Sequence, residues 1–471
     1  MSYLSQGIAE FITNTEMNDI PLNVQHEGKR NLLDILGCTY AGARSPIGEE
    51  LLNLLNETKD DGVATVLGLG KKCPPLMAAY ANARMAYALD ADDTFMLPAH
   101  FSNSLMGSAL AAAEWMSASG EELLTAYILG YDIAARVGVC VGVQMDEEEV
   151  AFPLIGVTGC TIMGAVAAAG KLLKLNAVEI AHAIGIACAN TPIGALKKFV
   201  KADRIPTYKA VDVGWCAKAG LLACMLAKSG AEGYIDILDG EDSYFSMIGA
   251  KKWFPERVLD RVGYKWHILD ASYKPWPCCR YNHYAMEAAL DIVKEQGIDV
   301  REIEKISIHT APMAIGKRFI KKHPESMVDC EFSQPHTMAM ALLGVPRGPE
   351  WVSEEVQRDE SIARLREKIE VDLYPESKKM AQWIEDGQLR QIPVAVDIQA
   401  RGNTYSASRS LAEGDPWSRD TYYTDEQIVE KFIDYASPCL GNQRASEISK
   451  SIFGLEKMSE LGPLLQQNVS K

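Results

Sequence analysis

Two stretches of this chain, residues 158–173 and 212–228, consist almost wholly of small and apolar side chains. A helix without a broad polar face must be buried on most of its sides, so other helices have to surround these two. That need sets the fold class of the first 250 residues, which read as helix after helix. Val24, Leu32, Leu33, Leu36 and Tyr40 recur at helical spacing over residues 24–43. Residues 74–89 and 104–117 are rich in Ala, Met and Leu, which suits close helix packing. Ser119-Gly-Glu-Glu122 has capping-box form and predicts a helix running through Tyr131 to about Val141; Asn176 with Glu179 repeats the signal before another Ala-rich segment. Only residues 63–67, VATVL, look like a strand in this half.

The texture changes after about residue 265. Residues 303–309 (IEKISIH), 368–373 (KIEVDL) and 394–399 (VAVDIQ) place branched residues at intervals of two, the mark of half-buried strands. Arg401-Gly-Asn403 predicts a hairpin turn between VAVDIQ and TYSASRS. Helices are predicted at about 281–296 and 332–344, and helical pattern returns from about Thr424 to the end. A chain of 471 residues exceeds what one core usually holds, so more than one domain is expected. The simplest arrangement is mainly α: a large all-helical domain (1–265 and 411–471) interrupted by a smaller α+β domain with an antiparallel sheet (266–410).

A formal net charge of −16 argues against nucleic-acid binding. Eleven cysteines are scattered without any C-x-x-C pair, as expected of reduced thiols in a reducing compartment. The N-terminus lacks the charged-then-apolar pattern of a secretory signal, and no run of 18 uninterrupted apolar residues occurs. The expectation is a cytoplasmic protein that binds no membrane. Gly68-Leu-Gly70 lacks the third glycine of a dinucleotide fingerprint.

Between the predicted helices at 74–89 and 104–117 lies a polar intrusion, AYALDADDTFMLPAHFSN (86–103). It crowds Asp90, Asp92, Asp93, Thr94 and His100 into about a dozen positions, and polar groups between core helices must be paired or used. The bland alternative is that Asp92 and Asp93 cap the next helix while His100 packs at its start. Lys209, in RIPTYKAVDVG, leads into the apolar helix at 212–228; it is either a solvated lysine or an anion binder. Lys197, Lys198 and Lys201 read as an exposed basic face. In YKPWPCCRYNH (273–283), Lys274, Arg280 and His283 surround Cys278 and Cys279, which suggests anion binding; a basic linker is the plainer reading. Adjacent cysteines suit a tetrahedral metal site poorly, so no metal is expected.

Taken together, these segments resemble the MmgE/PrpD family, which includes 2-methylcitrate dehydratase, cis-aconitate decarboxylase and iminodisuccinate epimerase. The matching pieces are ALDADDT…H (88–100), SGEELLTAYILGYDIAARVG (119–138), MGAVAAAGKLLKL (163–175), the Lys209 loop, YKPWPCCRYNH and EFSQPHTMAMALL (331–343). The resemblance implies a helical domain interrupted by an α+β lid, a homodimer, and a cleft site working without metal or organic cofactor. Asp90, Thr94, His100, Lys209 and Lys274 match residues that the family places in that cleft; Cys279 and His283 fall on further positions near it.

One departure stands out. The family often carries a Gly-aromatic-His-Pro-Thr segment before the Ala-rich helix, whereas this chain reads EEEVAFPLIGVTGC and has no histidine between His100 and His182. Phe101 also stands where the family commonly has proline. The expectation is a cofactor-independent lyase, a dehydratase or decarboxylase, acting on a small di- or tricarboxylic acid. In it His100 is the general acid or base, oriented by Asp90 and Thr94. Lys209, Lys274 and Arg280 hold substrate carboxylates, with Asp93, Cys279 and His283 around them. An epimerase of the iminodisuccinate type and a non-catalytic binder of acidic metabolites are the alternatives.

Overall fold

The computed structural model describes residues 3–59, 61–96, 100–141, 144–145, 150–151, 158–192 and 194–465. Most of the EEEVAFPLIGVTGC segment, together with Leu97, Pro98 and Ala99, lies outside the described residues.

The core of the first half is a stack of six helices: α1 (Leu22–Ala43), α2 (Pro75–Ala86), α3 (Ser102–Trp115), α4 (Gly120–Val141), α5 (Thr158–Leu172) and α6 (Val213–Lys228). Helix α5 sits at the centre and packs on α3, α4 and α6. Glycine permits its closest crossing. A Cβ built on Gly130 of α4 would lie 2.8 Å from the Gly164 carbonyl of α5, and one on Gly164 would lie 2.9 Å from the Gly130 carbonyl, so neither backbone tolerates a side chain there. Helix α4 is long and apolar enough to cross a membrane, yet its apolar window is wholly buried in the protein, as befits a core helix. The Ser119–Glu122 capping box forms: Glu122 N–H donates to Ser119 Oγ at 3.2 Å, and Ser119 N–H to Glu122 Oε2 at 2.8 Å. Helix α6 is less enclosed than its composition predicts, because Trp215, Leu222 and Leu226 share an exposed face.

Residues 64–66 form the short strand β1, paired antiparallel with β2 (Lys71–Cys73). Gly68 and Gly70 take left-handed conformations in the turn between them, which accounts for the two glycines without any cofactor.

The later half carries α7 (Arg280–Gln296) against a four-stranded sheet of β3 (Ile303–Thr310), β4 (Ile369–Leu373), β5 (Val394–Ala400) and β6 (Asn403–Arg409), ordered β6-β5-β3-β4. The hairpin turn holds Arg401 and Gly402 at φ of 55° and 71°, as a two-residue turn between antiparallel strands requires. The sheet is mixed, not purely antiparallel, because β4 runs parallel to β3. Some 58 residues separate the end of β3 from the start of β4, room enough for the helical crossover that parallel pairing demands.

The predicted helix at 332–344 is two helices, α8 (Met327–Phe332) and α9 (Gln334–Leu342). Ser333 interrupts them: it is extended, its side chain accepts from His336 N–H, and Pro335 follows in the first turn. Helix α10 (Asp425–Leu440) returns to pack along α1.

Candidate active site

The polar intrusion folds as a loop between α2 and α3, stitched down on both sides. Thr94 and Ser272 form an isolated antiparallel bridge, with Thr94 N–H donating to the Ser272 carbonyl at 2.7 Å and Ser272 N–H to the Thr94 carbonyl at 2.9 Å. Lys431 of α10 donates to the Ala91 carbonyl at 2.8 Å and to Asp34 of α1 at 2.7 Å. Asp92 and Asp93 are buried and tie the loop to the first turn of α3: Asp92 accepts from Asn103 Nδ2 at 2.8 Å, and Asp93 from the Ser102 hydroxyl and from Tyr131 OH, the latter at 2.7 Å. Burial pushes the Asp93 carboxyl up to about 6, with Asp92 adding to the effect. Asp93 is thus a brace beneath the site, where substrate contact had been expected.

Asp90 is the hub. It holds a left-handed backbone at φ 50°, strained for a residue with a Cβ and so a place where geometry has been fixed by its surroundings. Lys274 Nζ donates to the Asp90 carbonyl at 2.5 Å and to its Oδ1 at 3.2 Å, and His100 Nε2 lies 3.9 Å from that same Oδ1. Burial works against the Asp90 carboxylate, but Lys274, Lys209 and His100 together hold it well below the usual range. The other imidazole nitrogen, Nδ1, is 2.8 Å from the Asp93 carbonyl and 3.6 Å from Asp92 Oδ2. If Nδ1 carries the proton toward that carbonyl, Nε2 is left as the free basic position.

Lys209 enters from the opposite side. Its ammonium is 2.5 Å from Glu331 Oε2, donates to the Tyr87 carbonyl at 3.0 Å, and lies 4.2 Å from the centre of the Tyr87 ring. The same ring is 5.6 Å from that of His100, so Asp90 and Tyr87 are where the three expected cationic groups converge. Of these, His100 reaches the surface, with 19% of its side chain exposed, whereas Lys209 and Lys274 lie beneath at 2% and 0%. The lysines therefore set the field and fix Asp90 and Glu331, while the imidazole is the group presented outward.

Glu331 and Tyr87 were missed by residue-level reading. Glu331 lies just outside the helix predicted at 332–344 and is the penultimate residue of α8. Cys279 N–H donates to the Glu331 carbonyl at 2.9 Å, locking the two segments together. Burial raises the Glu331 carboxyl to about 8 against the pull of Lys209.

The remaining expectations divide. Arg280, expected to hold substrate, is spent internally: its terminal nitrogens donate to Asp415 Oδ1 at 2.6 Å and to the carbonyls of Tyr273, Ala412 and Glu413 at 3.1, 3.1 and 2.8 Å. His283 is fully buried, 3.4 Å from Cys278 Sγ, and burial with Arg280 and Lys274 nearby keeps it well below the usual imidazole range; it packs behind the site. Cys279 stays at the edge, its thiol pushed up to about 12 by burial and by Asp90. Thr94 Oγ1 and Asp92 Oδ1 are buried with no hydrogen-bond partner. Lys197, Lys198 and Lys201 are exposed. Asp90, Asp92 and His100 bring ligand atoms within 4.8 Å of one another, close enough for a cation, but the Lys274 ammonium stands 3.2 and 3.9 Å from the two carboxylates and supplies that charge.

The sequence matches known proteins over nearly its full length. The MmgE/PrpD N-terminal domain matches residues 6–256, and the MmgE/PrpD C-terminal domain matches residues 276–455. This chain belongs to the MmgE/PrpD family. Among its relatives, cis-aconitate decarboxylase of Aspergillus terreus is 23% identical over 496 residues, spanning 99% of this chain and 96% of that protein. Cis-aconitate decarboxylases of Mus musculus and Homo sapiens are each 22% identical, spanning 99% and 98% of this chain and 95% and 93% of theirs. In coarse terms the protein is an enzyme of this family, as the resemblance implied.

Proposed function

We propose that this MmgE/PrpD enzyme is a lyase that acts on a small polycarboxylic acid of the cis-aconitate kind, moving a proton beside a carboxylate without a metal or organic cofactor. The observation that carries the reading is the sharing of Asp90 Oδ1 between the buried Lys274 ammonium and the outward His100 imidazole. Lys274 fixes Asp90; Asp90 and the Asp93 carbonyl fix the ring; His100 Nε2 exchanges the proton with substrate. Charge that develops on a carbanion or enediolate next to a carboxylate would be stabilised by the two ammonium groups beneath, in a site where burial strengthens every such interaction. The relatives' activity, decarboxylation of cis-aconitate, supports the lyase class.

The Glu331 carboxyl, raised by burial and set beside Lys209, offers a second acid–base position. That matters because this sequence has no histidine between His100 and His182. The same absence favours a second reading, epimerisation, in which one group removes a proton and returns it. The resemblance further implies a homodimer, for which the exposed Trp215–Leu222–Leu226 face of α6 is available, in the cytoplasm.

An NMR screen of citrate-, aconitate-, succinate- and aminosuccinate-type acids in deuterated buffer tests the proposal. Loss of carbon dioxide or water with deuterium uptake is the expected result. Exchange alone, with the carbon skeleton intact, would replace the lyase by the epimerase. No change in any acid would overturn both.

A further inference from the structure

The lysines and Arg280 already have partners, which leaves open what receives the carboxylate that a polycarboxylate presents away from the reacting carbon. We propose that Arg318, in the turn before α8, is that seat, and that it restricts the enzyme to substrates with a second carboxylate; the inference rests on the lyase reading above and names the feature its substrate must have.

Three observations carry it. Among the described residues Arg318 has neither an ion pair nor a hydrogen bond, and its Nε is buried without a partner. By contrast, Arg30, Arg136 and Arg280 each combine a carboxylate with backbone carbonyls, and Arg366 donates to the Gln357 carbonyl and lies against His336. Arg318 is half-buried with its Nε out of reach of water, and a ligand carboxylate would supply the counter-ion this partly desolvated guanidinium lacks.

The surroundings also select the ligand's shape. The Arg318 guanidinium carbon is 4.6, 4.9 and 5.6 Å from the ring centres of Phe319, Phe199 and Phe332. Phe199 and Phe332 are themselves in edge contact at 5.1 Å, and Phe332 adjoins Glu331. Aromatic contact holds the cation without using its N–H groups, which stay free for a planar, two-pronged acceptor. Lysine would offer a single rotating point charge there, a poorer match to a carboxylate.

The third observation is place. The groups within electrostatic reach of Arg318 are Cys279, Tyr281 and Asp90, so it borders the cluster described above. In sequence GKRFIKK looks like an ordinary basic turn; Phe319 adjoins Arg318 within it, but Phe332 and Phe199 are brought to it by the fold.

The test compares wild type, Arg318→Gln and Arg318→Lys with a polycarboxylate substrate and with its half-ester, in which the remote carboxylate is masked. Binding of aconitate is followed in parallel by calorimetry, and melting is recorded for each variant. Wild type should prefer the free acid strongly. In Arg318→Gln, KM and Kd should rise roughly 10- to 150-fold, the size of a lost charge-assisted hydrogen bond, with kcat changed much less, the free-acid preference collapsing and Tm held or raised. Arg318→Lys should fall between. A folded Arg318→Gln or Arg318→Lys with unchanged KM and unchanged half-ester discrimination overturns the inference alone. If wild type binds aconitate through Arg318 but turns nothing over, the lyase reading falls and the carboxylate seat stands; if wild type does not bind it, both fall.

Discussion

Two clusters of buried charge lie back to back in this enzyme, joined through Ser272, and they are finished to different degrees. On one side Asp415 accepts from Arg280, Ser272, Tyr284 and the Ala412 amide at 2.6 to 3.1 Å. On the other, Asp90 is shared by Lys274 and His100, Asp92 Oδ1 and Thr94 Oγ1 have no hydrogen-bond partner, and the imidazole is part-exposed to solvent. The difference separates a strut from a site. A carboxylate saturated by four donors, as Asp415 is, holds one arrangement and has nothing left to offer a ligand, whereas unsatisfied buried groups are tolerated where chemistry uses them.

The largest effect expected from breaking that contrast is on the open side. His100→Gln should lower kcat/KM by about 10²- to 10⁴-fold while the melting temperature hardly moves, as read by progress curves and calorimetry. On the closed side, Arg280→Met strands Asp415 and should cost about 3–5 kcal/mol of stability in a denaturant titration, with the surviving folded enzyme turning over at close to the normal rate. Wild-type kcat in His100→Gln, or a folded but inactive Arg280→Met, would erase the distinction.

A pH series sharpens it. Glu331, at about 8 when folded against an ordinary 4.5, contributes stability that is complete below about 4.5 and is lost as pH rises through about 8. Asp93, raised from 3.8 to about 6, behaves the same way over a lower window. Asp90, held below its ordinary value, runs the other way and loses its share only in acid. Glu331→Gln should therefore flatten the decline in stability between about pH 5 and 8, which unfolding titrations at several pH values will read. Thr94→Val replaces an unpartnered hydroxyl by a similar apolar shape, so its stability should change by under about 1 kcal/mol, and any fall in rate would mark the hydroxyl as working. The smallest effect expected is none: exhaustive EDTA treatment should leave the rate intact, and a loss restored by a divalent ion would assign Asp90, Asp92 and His100 to a metal instead.

The same contrast explains what the sequence disclosed. Helices with strong periodicity or capping signals, such as 119–141 and 280–296, were legible because their causes are local. The polar loop at 86–103 was legible because it offends its apolar setting. Which cations are free was not, since that depends on where Asp415, Glu331 and Phe332 arrive from elsewhere: Arg280 looked like a carboxylate holder and is a strut, while Arg318 carried no signal of its own. The parallel β3–β4 pairing was hidden for a similar reason, because alternation reports which face is buried and is silent about direction. Glu331 was hidden because α8 starts at Met327, ahead of the helix predicted at 332–344, and its partner Lys209 lies far off in sequence.

The grip of Lys431 on the Ala91 carbonyl spans 340 positions of chain. A ribosome that has already released every residue of the catalytic loop, both lysines and Arg318 has still not produced the clamp that sets the loop's backbone. The nascent polypeptide thus carries the loop, both lysines and Arg318 before it has this clamp, which arrives only with the last tenth of the chain.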